Sequence, residues 1–194
     1  MLSMAERGSR DRRRRIARAV VPRPARGVTL IELITTLAVL IISLSLAAPA
    51  FTSFLRSNRL QAAQSELVSS LTLARSEAAR KGRPVGVEAM RPLADGGFNS
   101  GWRVWVDANG NGVYDGQPPE EVVREVAARS PSLTVTPTSD VRGIVFAPSG
   151  FLVAGNAVTF CLLGQPETTK GFRVVLAPVG LADVVPVTEA MPCP

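Results

Sequence analysis

An unbroken apolar stretch of 21 residues, from position 28 to 48, limits most strongly what this chain can form. About 20 apolar residues are enough for a helix to cross the hydrocarbon core of a bilayer, whereas the buried core helices that it could be confused with have about 10–14. Its one charged residue is Glu32. The sequence therefore predicts a membrane-spanning helix near its N-terminus.

The basic residues are concentrated immediately before this stretch. The chain has 194 residues and a formal net charge of +6. Residues 1–27 contain nine Arg and two acidic residues, so this segment carries +7 and the rest of the chain carries −1. Positive charge beside a membrane span stays in the cytoplasm. The Arg run is therefore better explained by membrane topology than by nucleic-acid binding, and everything after residue 48 is expected outside the cytoplasm.

The composition argues against an enzyme. The chain has no His, which removes Ser-His-Asp and Cys-His catalysis and the usual zinc sites. Its two Cys lie 32 positions apart, which does not fit a Cys-x-x-Cys redox motif or a metal knuckle. We also find no pair of nucleophile and base and no phosphate-binding loop. We therefore predict a non-enzymatic protein that needs no cofactor.

The N-terminus allows three interpretations. An ordinary secretory signal would be cut at Ala48-Pro49-Ala50, which would leave an exported β-domain. A twin-arginine export signal could use residues 12–15. The third interpretation rests on the sequence RGVTLIEL, in which Gly27 ends the basic leader and Glu32 follows five residues later. A carboxylate at membrane depth costs about 2.5–3.5 kcal/mol, so Glu32 needs a partner, and a secretory signal has no use for one.

This third pattern resembles the leader of type IV pilins and type II secretion pseudopilins. The resemblance implies that a prepilin peptidase cuts between Gly27 and Val28 and that Val28 is then N-methylated. It also implies that Glu32 pairs with the terminal amine of a neighbouring subunit during assembly, and that Pro49 kinks the helix. Val28 departs from the family pattern, in which Phe or Met is more usual after the cut.

An amphipathic stripe continues the helix beyond the apolar stretch. Apolar side chains recur at helical spacing, and basic residues, Gly82 and Pro84 mark the end of the pattern. We expect residues 28–48 to span the membrane and residues 49–82 to pack on a head domain at residues 83–194. The stripe consists of Phe51, Leu55, Leu60, Ala63, Leu67, Leu71, Ala74 and Ala78.

The predicted fold class is α+β, with the long N-terminal transmembrane and amphipathic helix packed on a small, antiparallel, β-rich head. The head contains short segments rich in Val, Phe and Trp, separated by Gly, Pro, Asn and Ser. Within the pilin superfamily it resembles the GspH/FimT group at residues 73–85, 101–116 and 144–150. The candidate strands are residues 85–90, 102–107, 121–127, 133–136, 144–147, 157–162 and 172–177.

One loop of the head resembles a calcium-binding loop. Asp107, Asn109, Asn111 and Asp115 alternate as oxygen ligands do in such loops. However, Pro118 occupies the position where a bidentate Glu belongs. Asn-Gly and Asp-Gly pairs are also strong turn signals, so we favour a turn over a calcium site.

Two further features concern the end of the chain. Cys161 and Cys193 are expected to form a disulfide, since both lie in the part predicted outside the cytoplasm. Some FimT-like minor pilins capture DNA through a Gly-Arg-x-Arg motif near the disulfide, but here the corresponding residues are Gly171-Phe172-Arg173. DNA contact by Lys170 and Arg173 is therefore the second function that we consider.

The resemblance implies a minor pilin or pseudopilin. Its expected partners are prepilin peptidase, other major and minor subunits and the inner membrane. We expect a single-pass protein with a cytoplasmic N-terminus and a periplasmic head, which then joins a type II secretion pseudopilus or a type IV pilus near the tip. The alternatives are a DNA-binding minor pilin for natural transformation and an exported β-domain with a cleaved signal peptide.

Overall fold

The computed structural model describes residues 27–128, 133–164, 171–188 and 193. The basic leader before Gly27 and Lys170 lie outside the described residues. The chain divides into two compact units, Met1–Leu44 and Ser45–Pro194. In its described part, the first unit consists of Gly27 to Thr29 and the beginning of a long helix.

This helix, α1, spans Leu30–Lys81 and has 52 residues. Arg80 and Lys81 occupy its last turn, where positive charge is favourable next to the unpaired carbonyls. Gly82 follows in the left-handed conformation with φ 63°, and its N–H donates to the Ala78 carbonyl over 3.0 Å. The predicted helix is therefore confirmed, with its end at the expected Gly. The helix continues through position 49, and the kink at Pro49 stays a prediction.

The head contains two four-stranded antiparallel sheets. The strands are β1 Val85–Ala89, β2 Gly101–Val106, β3 Glu121–Ala127, β4 Leu133–Pro137, β5 Gly143–Phe146, β6 Val158–Gly164, β7 Gly171–Leu176 and β8 Ala182–Pro186. The order in the first sheet is β3-β2-β1-β5, and the order in the second is β4-β6-β7-β8. All seven predicted segments form strands, whereas the eighth strand was missed. Two short 3-10 turns, Leu93–Asp95 and Gly97–Ser100, precede β2.

The core of the head lies where α1 and the inner faces of the two sheets meet. Alternate residues of the strands point inward, and Phe98 joins the two sheets by packing edge-on against Phe160, with ring centroids 5.0 Å apart. The helix contributes most of its predicted stripe to this core. The buried members are Leu60, Ala63, Leu67, Leu71, Ala74 and Ala78.

The prediction was wrong for the first two members of the stripe. Phe51 is 62% exposed and Leu55 is 36% exposed. The spacing of apolar residues gives the face of a helix but not the position at which another element begins to cover it. In this chain the head covers α1 only from Leu60 onward.

Candidate functional site

The predicted processing site lies directly before the cap of α1. Gly27 and Val28 are exposed and precede the helix. Thr29 caps it, because its hydroxyl oxygen accepts a hydrogen bond from the Glu32 N–H over 3.3 Å and its carbonyl accepts one from the Leu33 N–H over 3.1 Å. A cut between Gly27 and Val28 would thus place the new terminal amine one residue before the helix cap.

Glu32 lies in the first turn of α1 and is exposed among apolar neighbours, of which Ile31 is 66% exposed and Leu33 is 60% exposed. Within the described ranges, no side chain donates to its carboxylate or forms an ion pair with it. A helix N-terminus stabilises an acidic side chain by about 0.3–1 kcal/mol. This offsets only part of the cost at membrane depth, so a partner from another molecule would be needed.

The beginning of α1 has the length and composition of a membrane span. An 18-residue window in this helix has a mean hydropathy of 2.3 and is not buried against the rest of the chain. Every large apolar side chain between Val28 and Leu46 is more than half exposed. A lipid phase or other helices would have to cover a surface of this kind.

The loop that resembles a calcium site forms a closed turn held by its own hydrogen bonds. Asp107 is 1% exposed, and its two carboxylate oxygens accept hydrogen bonds from the N–H groups of Gly110, Asn111 and Gly112 over 2.8–3.2 Å. Asp115 accepts hydrogen bonds from the side-chain amides of Asn109 and Asn111, each over 2.9 Å. The four predicted ligand residues thus lie in one turn, in which Asp107 is bonded to backbone N–H groups and Asp115 to the two side-chain amides. Among the described residues, no group of three or more acidic or Cys side chains is arranged to hold a metal ion.

The outer face of the first sheet carries a second buried cluster, which sequence reasoning missed. Trp105 is fully buried although it lies on the face opposite Trp102. Its ring covers Gly86 on the neighbouring strand so closely that an added Cβ atom would lie 1.4 Å from the ring. Tyr114 from the β2–β3 loop packs edge-on against Trp105, with centroids 6.3 Å apart, and the guanidinium of Arg103 lies 4.5 Å from the Tyr114 ring centroid. The signal in the sequence was the Gly inside a strand, which often marks a close approach.

Glu88 fixes this loop to the sheet. It is 4% exposed, and its Oε2 accepts a hydrogen bond from the Tyr114 N–H over 3.2 Å. Its Oε1 accepts the Nε–H of Arg142 over 2.8 Å. A buried carboxylate is tolerated only when it is paired, so these contacts explain why a charged residue occurs in the middle of β1.

The disulfide between Cys161 and Cys193 is present, as predicted, and joins β6 to the end of the chain. On β7, Arg173 pairs directly with Cys161 in the sheet register, so Arg173 lies on the outer face of the second sheet beside the disulfide. Among the described strand residues on this face, Arg173 is the only cation, and Asp183 lies on the same face. Phosphate binding needs clustered cations, and DNA contact by Lys170 and Arg173 stays a prediction.

The comparisons with known proteins agree with this architecture. The family model described as type II transport protein GspH matches residues 63–180, which is more than half of the chain. Among solved structures, the type IV minor pilin FimU of Pseudomonas aeruginosa is 26% identical, with a TM-score of 0.56, and the match covers 69% of this chain and 93% of FimU.

Two further structures have lower similarity. The minor pseudopilin EpsH from the type 2 secretion system of Vibrio cholerae is 12% identical, with a TM-score of 0.45 and coverage of 66% of this chain and 97% of EpsH. GspH of E. coli is 14% identical, with a TM-score of 0.44 and coverage of 70% of this chain and 93% of that one. No curated protein sequence matches at a significant level.

The long helix of this chain packs its second half on antiparallel sheets, and together with the similarity to the minor pilin FimU this defines a protein of the pilin fold. Within that class, the chain belongs to the GspH family of type II transport proteins. The fold class and the GspH/FimT-like resemblance are therefore confirmed. Members of this family are structural subunits, so the prediction of a non-enzymatic protein is confirmed as well.

Proposed function

We propose that the protein is a minor pilin or pseudopilin that is made as a membrane-anchored precursor. Prepilin peptidase cuts it between Gly27 and Val28 and methylates the new N-terminus. Before assembly, the subunit is anchored in the inner membrane with its N-terminus in the cytoplasm and its head in the periplasm. It then joins other subunits at or near the tip of a type II secretion pseudopilus or a type IV pilus.

The observation that carries this proposal is the position of Glu32. Its carboxylate is exposed in the first turn of an apolar helix, three residues after the capping Thr29 and five residues after the proposed cut. In a bundle of such helices, the amine that the cut creates on a neighbouring Val28 would supply the missing partner. The pair would fix the axial register of each new subunit, because an unpaired carboxylate in an apolar bundle is costly.

The N-terminus of the mature protein tests the processing step. We expect Edman sequencing or mass spectrometry of protein from membranes to give N-methylated Val28 as the first residue. A chain that begins at Phe51 would instead have been cut by a signal peptidase after Ala50, and it would contradict the proposal. A Gly27→Val variant, which changes the residue before the cut, should stay in the precursor form.

Assembly is tested by removing the carboxylate. A Glu32→Ala variant should be processed and inserted normally but should be depleted from sheared filaments. Thr36→Ala is a matched control, because Thr36 lies one turn away on the same exposed helix and its hydroxyl donates to the Leu33 carbonyl of that helix. Normal incorporation of the Glu32→Ala protein would exclude the pairing.

Deletion of the gene for this protein tests whether the subunit belongs to a type II secretion system or to a type IV pilus. Loss of enzyme secretion with intact surface pili would assign the protein to a type II secretion pseudopilus. Loss of surface pili with intact secretion would assign it to a type IV pilus. Complementation with the Glu32→Ala variant should fail in either case.

A further inference from the structure

The β2–β3 loop contains the two Asn-Gly pairs of the chain, Asn109-Gly110 and Asn111-Gly112. Both Gly residues adopt positive φ angles, 74° and 77°, which residues with a Cβ atom rarely adopt. The turn therefore requires Gly at both positions. Asn is a chemically labile residue, and it reacts most readily when Gly follows, because Gly has no side chain that shields its backbone nitrogen. The conformation of this turn thus places two reactive pairs next to each other.

The reaction of such a pair is deamidation. The backbone nitrogen of the Gly gives up its proton to hydroxide or water and attacks the Cγ atom of the preceding Asn. A C–N bond forms, the bond between Cγ and Nδ2 breaks, and Nδ2 takes up a proton and leaves as ammonia. Water then opens the succinimide ring and leaves aspartate or isoaspartate, so that water is the only co-reactant.

Both nitrogens that would attack are bonded to one buried carboxylate. Asp107 is 1% exposed, and it accepts the N–H of Gly110 over 2.8 Å and the N–H of Gly112 over 2.9 Å. Each nitrogen would have to lose its proton beside a negative charge, which disfavours a second negative charge. It would also have to leave a hydrogen bond to a charged acceptor, which is stronger than one between neutral groups.

Burial does not protect the two pairs. All four of their residues are exposed. A Cβ atom added to Gly110 would meet no described atom within 4 Å, and one added to Gly112 would have its nearest neighbour at 3.8 Å. Water therefore reaches both pairs, and the hydrogen bonds of Asp107 are what opposes the reaction at the attacking nitrogens.

We propose that Asp107 protects Asn109 and Asn111 from deamidation, and that the loop becomes a site of this modification when the carboxylate is removed. The protection allows the chain to keep the Gly residues that the turn requires. This inference goes beyond the proposed function and does not depend on it.

Deamidation of one pair would promote deamidation of the other. The Nδ2 of Asn111 donates to Oδ2 of Asp115 over 2.9 Å, and a carboxylate at position 111 would place two negative charges side by side. Isoaspartate also lengthens the backbone, so Asp107 could not keep all its bonds to the N–H groups of Gly110, Asn111 and Gly112. The remaining pair would then lose its protection.

Incubation of the full-length protein in detergent and mildly alkaline buffer, followed by peptide mass spectrometry, tests the protection. Asp107→Ala should deamidate at Asn109 and Asn111 faster than the wild type by about tenfold or more, the factor that corresponds to one hydrogen bond to a charged group. Asp115→Ala is the matched control, because it removes the acceptor of both Asn side-chain amides but keeps the bonds of Asp107. It should react at a rate close to that of the wild type. Equal rates in the wild type and Asp107→Ala, or equal rates in the two variants, would overturn the proposal.

Two further measurements separate protection by Asp107 from general stability. Ser70→Ala removes a buried hydrogen bond between α1 and β2 and leaves the loop unchanged, so it should deamidate at the wild-type rate. A rate as high as that of Asp107→Ala would show that unfolding controls the reaction, and the proposal would fail. If Asp107→Ala does not fold, the wild type is compared with and without unfolding urea. The native protein should react more slowly by about tenfold or more, and equal rates would overturn the protection.

Discussion

The indole N–H of Trp102 donates a hydrogen bond to the hydroxyl of Ser70 over 3.0 Å, and both residues are fully buried. Trp102 belongs to β2 and Ser70 to α1, so the bond crosses from the sheet to the helix. The Ser70 hydroxyl itself donates to the Glu66 carbonyl over 2.9 Å. Because a buried donor without an acceptor costs free energy, this bond favours one register of the helix on the sheet.

Replacing Ser70 by Ala tests the importance of this bond. The change removes the acceptor of the Trp102 N–H in a buried interface, so we expect the free energy of unfolding to fall by about 1–3 kcal/mol. The measurement is urea unfolding of the full-length protein in detergent, followed by Trp fluorescence. Ser65→Ala, at an exposed position of the same helix, is the control and should cost nothing. Equal midpoints for the two variants would contradict the role of the bond.

A second prediction concerns the stability of a variant at Gly86, because the Trp105 ring fills the space where a Cβ would lie. Gly86→Ala should lower the free energy of unfolding by about 3 kcal/mol or more, since an inserted methyl group must displace the ring. Gly164→Ala is a matched control in β6, where an added Cβ would meet no atom within 4 Å. Combining Gly86→Ala with Trp105→Leu should restore part of the loss, and a double variant as unstable as the sum of its parts would exclude the clash.

The sequence predicted those elements whose signal is local. The helix end at Lys81 follows from the basic last turn and Gly82, and seven strands follow from short β-branched and aromatic segments between turn residues. The eighth strand, Ala182–Pro186, was missed because it is short and contains Asp183 and Pro186, which are rare in strands. It lies at an edge of the second sheet, where Pro is tolerated.

The parts of the candidate site that depend on tertiary contact could not be predicted in the same way. The stripe of α1 gave the correct face, but the burial of Leu60 and the exposure of Leu55 depend on where the head begins. The cluster of Trp105, Gly86 and Tyr114 forms only when a loop folds back over the sheet.

The β2–β3 loop is expected to be stable without a metal ion. Both oxygens of Asp107 already accept backbone N–H groups, so we expect calcium or a chelator to leave the melting temperature unchanged. Asp107→Ala should nevertheless destabilise the protein more than Asp115→Ala, because Asp107 is buried and bonded to the backbone whereas Asp115 is exposed. A melting temperature that rises with millimolar calcium would instead support a calcium site.

A pH-dependent contribution is expected at the end of α1. Arg80 donates two hydrogen bonds to Glu77, over 3.1 and 2.6 Å, and this bonding holds the pKa of Glu77 below its ordinary value of 4.5. A carboxyl whose pKa is lowered by folding stabilises the protein above its unfolded pKa, and this contribution is lost as the pH falls through the folded pKa.

The difference in stability between the wild type and Glu77→Gln should therefore be present at pH 7 and should shrink below about pH 4.5. Urea midpoints of the two proteins across this range measure it. Arg80→Gln should remove the same component, since it takes away the donor. A difference between wild type and Glu77→Gln that persists unchanged at pH 3 would contradict the pairing.

The disulfide between Cys161 and Cys193 should supply a large part of the stability of the second sheet. It closes a loop with a sequence separation of 32 that contains β7 and β8, and cross-linking a loop of this size is worth about 3–4 kcal/mol by chain entropy. We expect Cys161→Ser with Cys193→Ser to lower the free energy of unfolding by about 2–4 kcal/mol.

The wild type should lose a similar amount of stability in a reducing agent, whereas the double variant should not respond to it. Each single variant should match the double variant, because either one opens the loop. An unfolding midpoint of the wild type that is the same with and without reducing agent would show that the bridge does not stabilise the head.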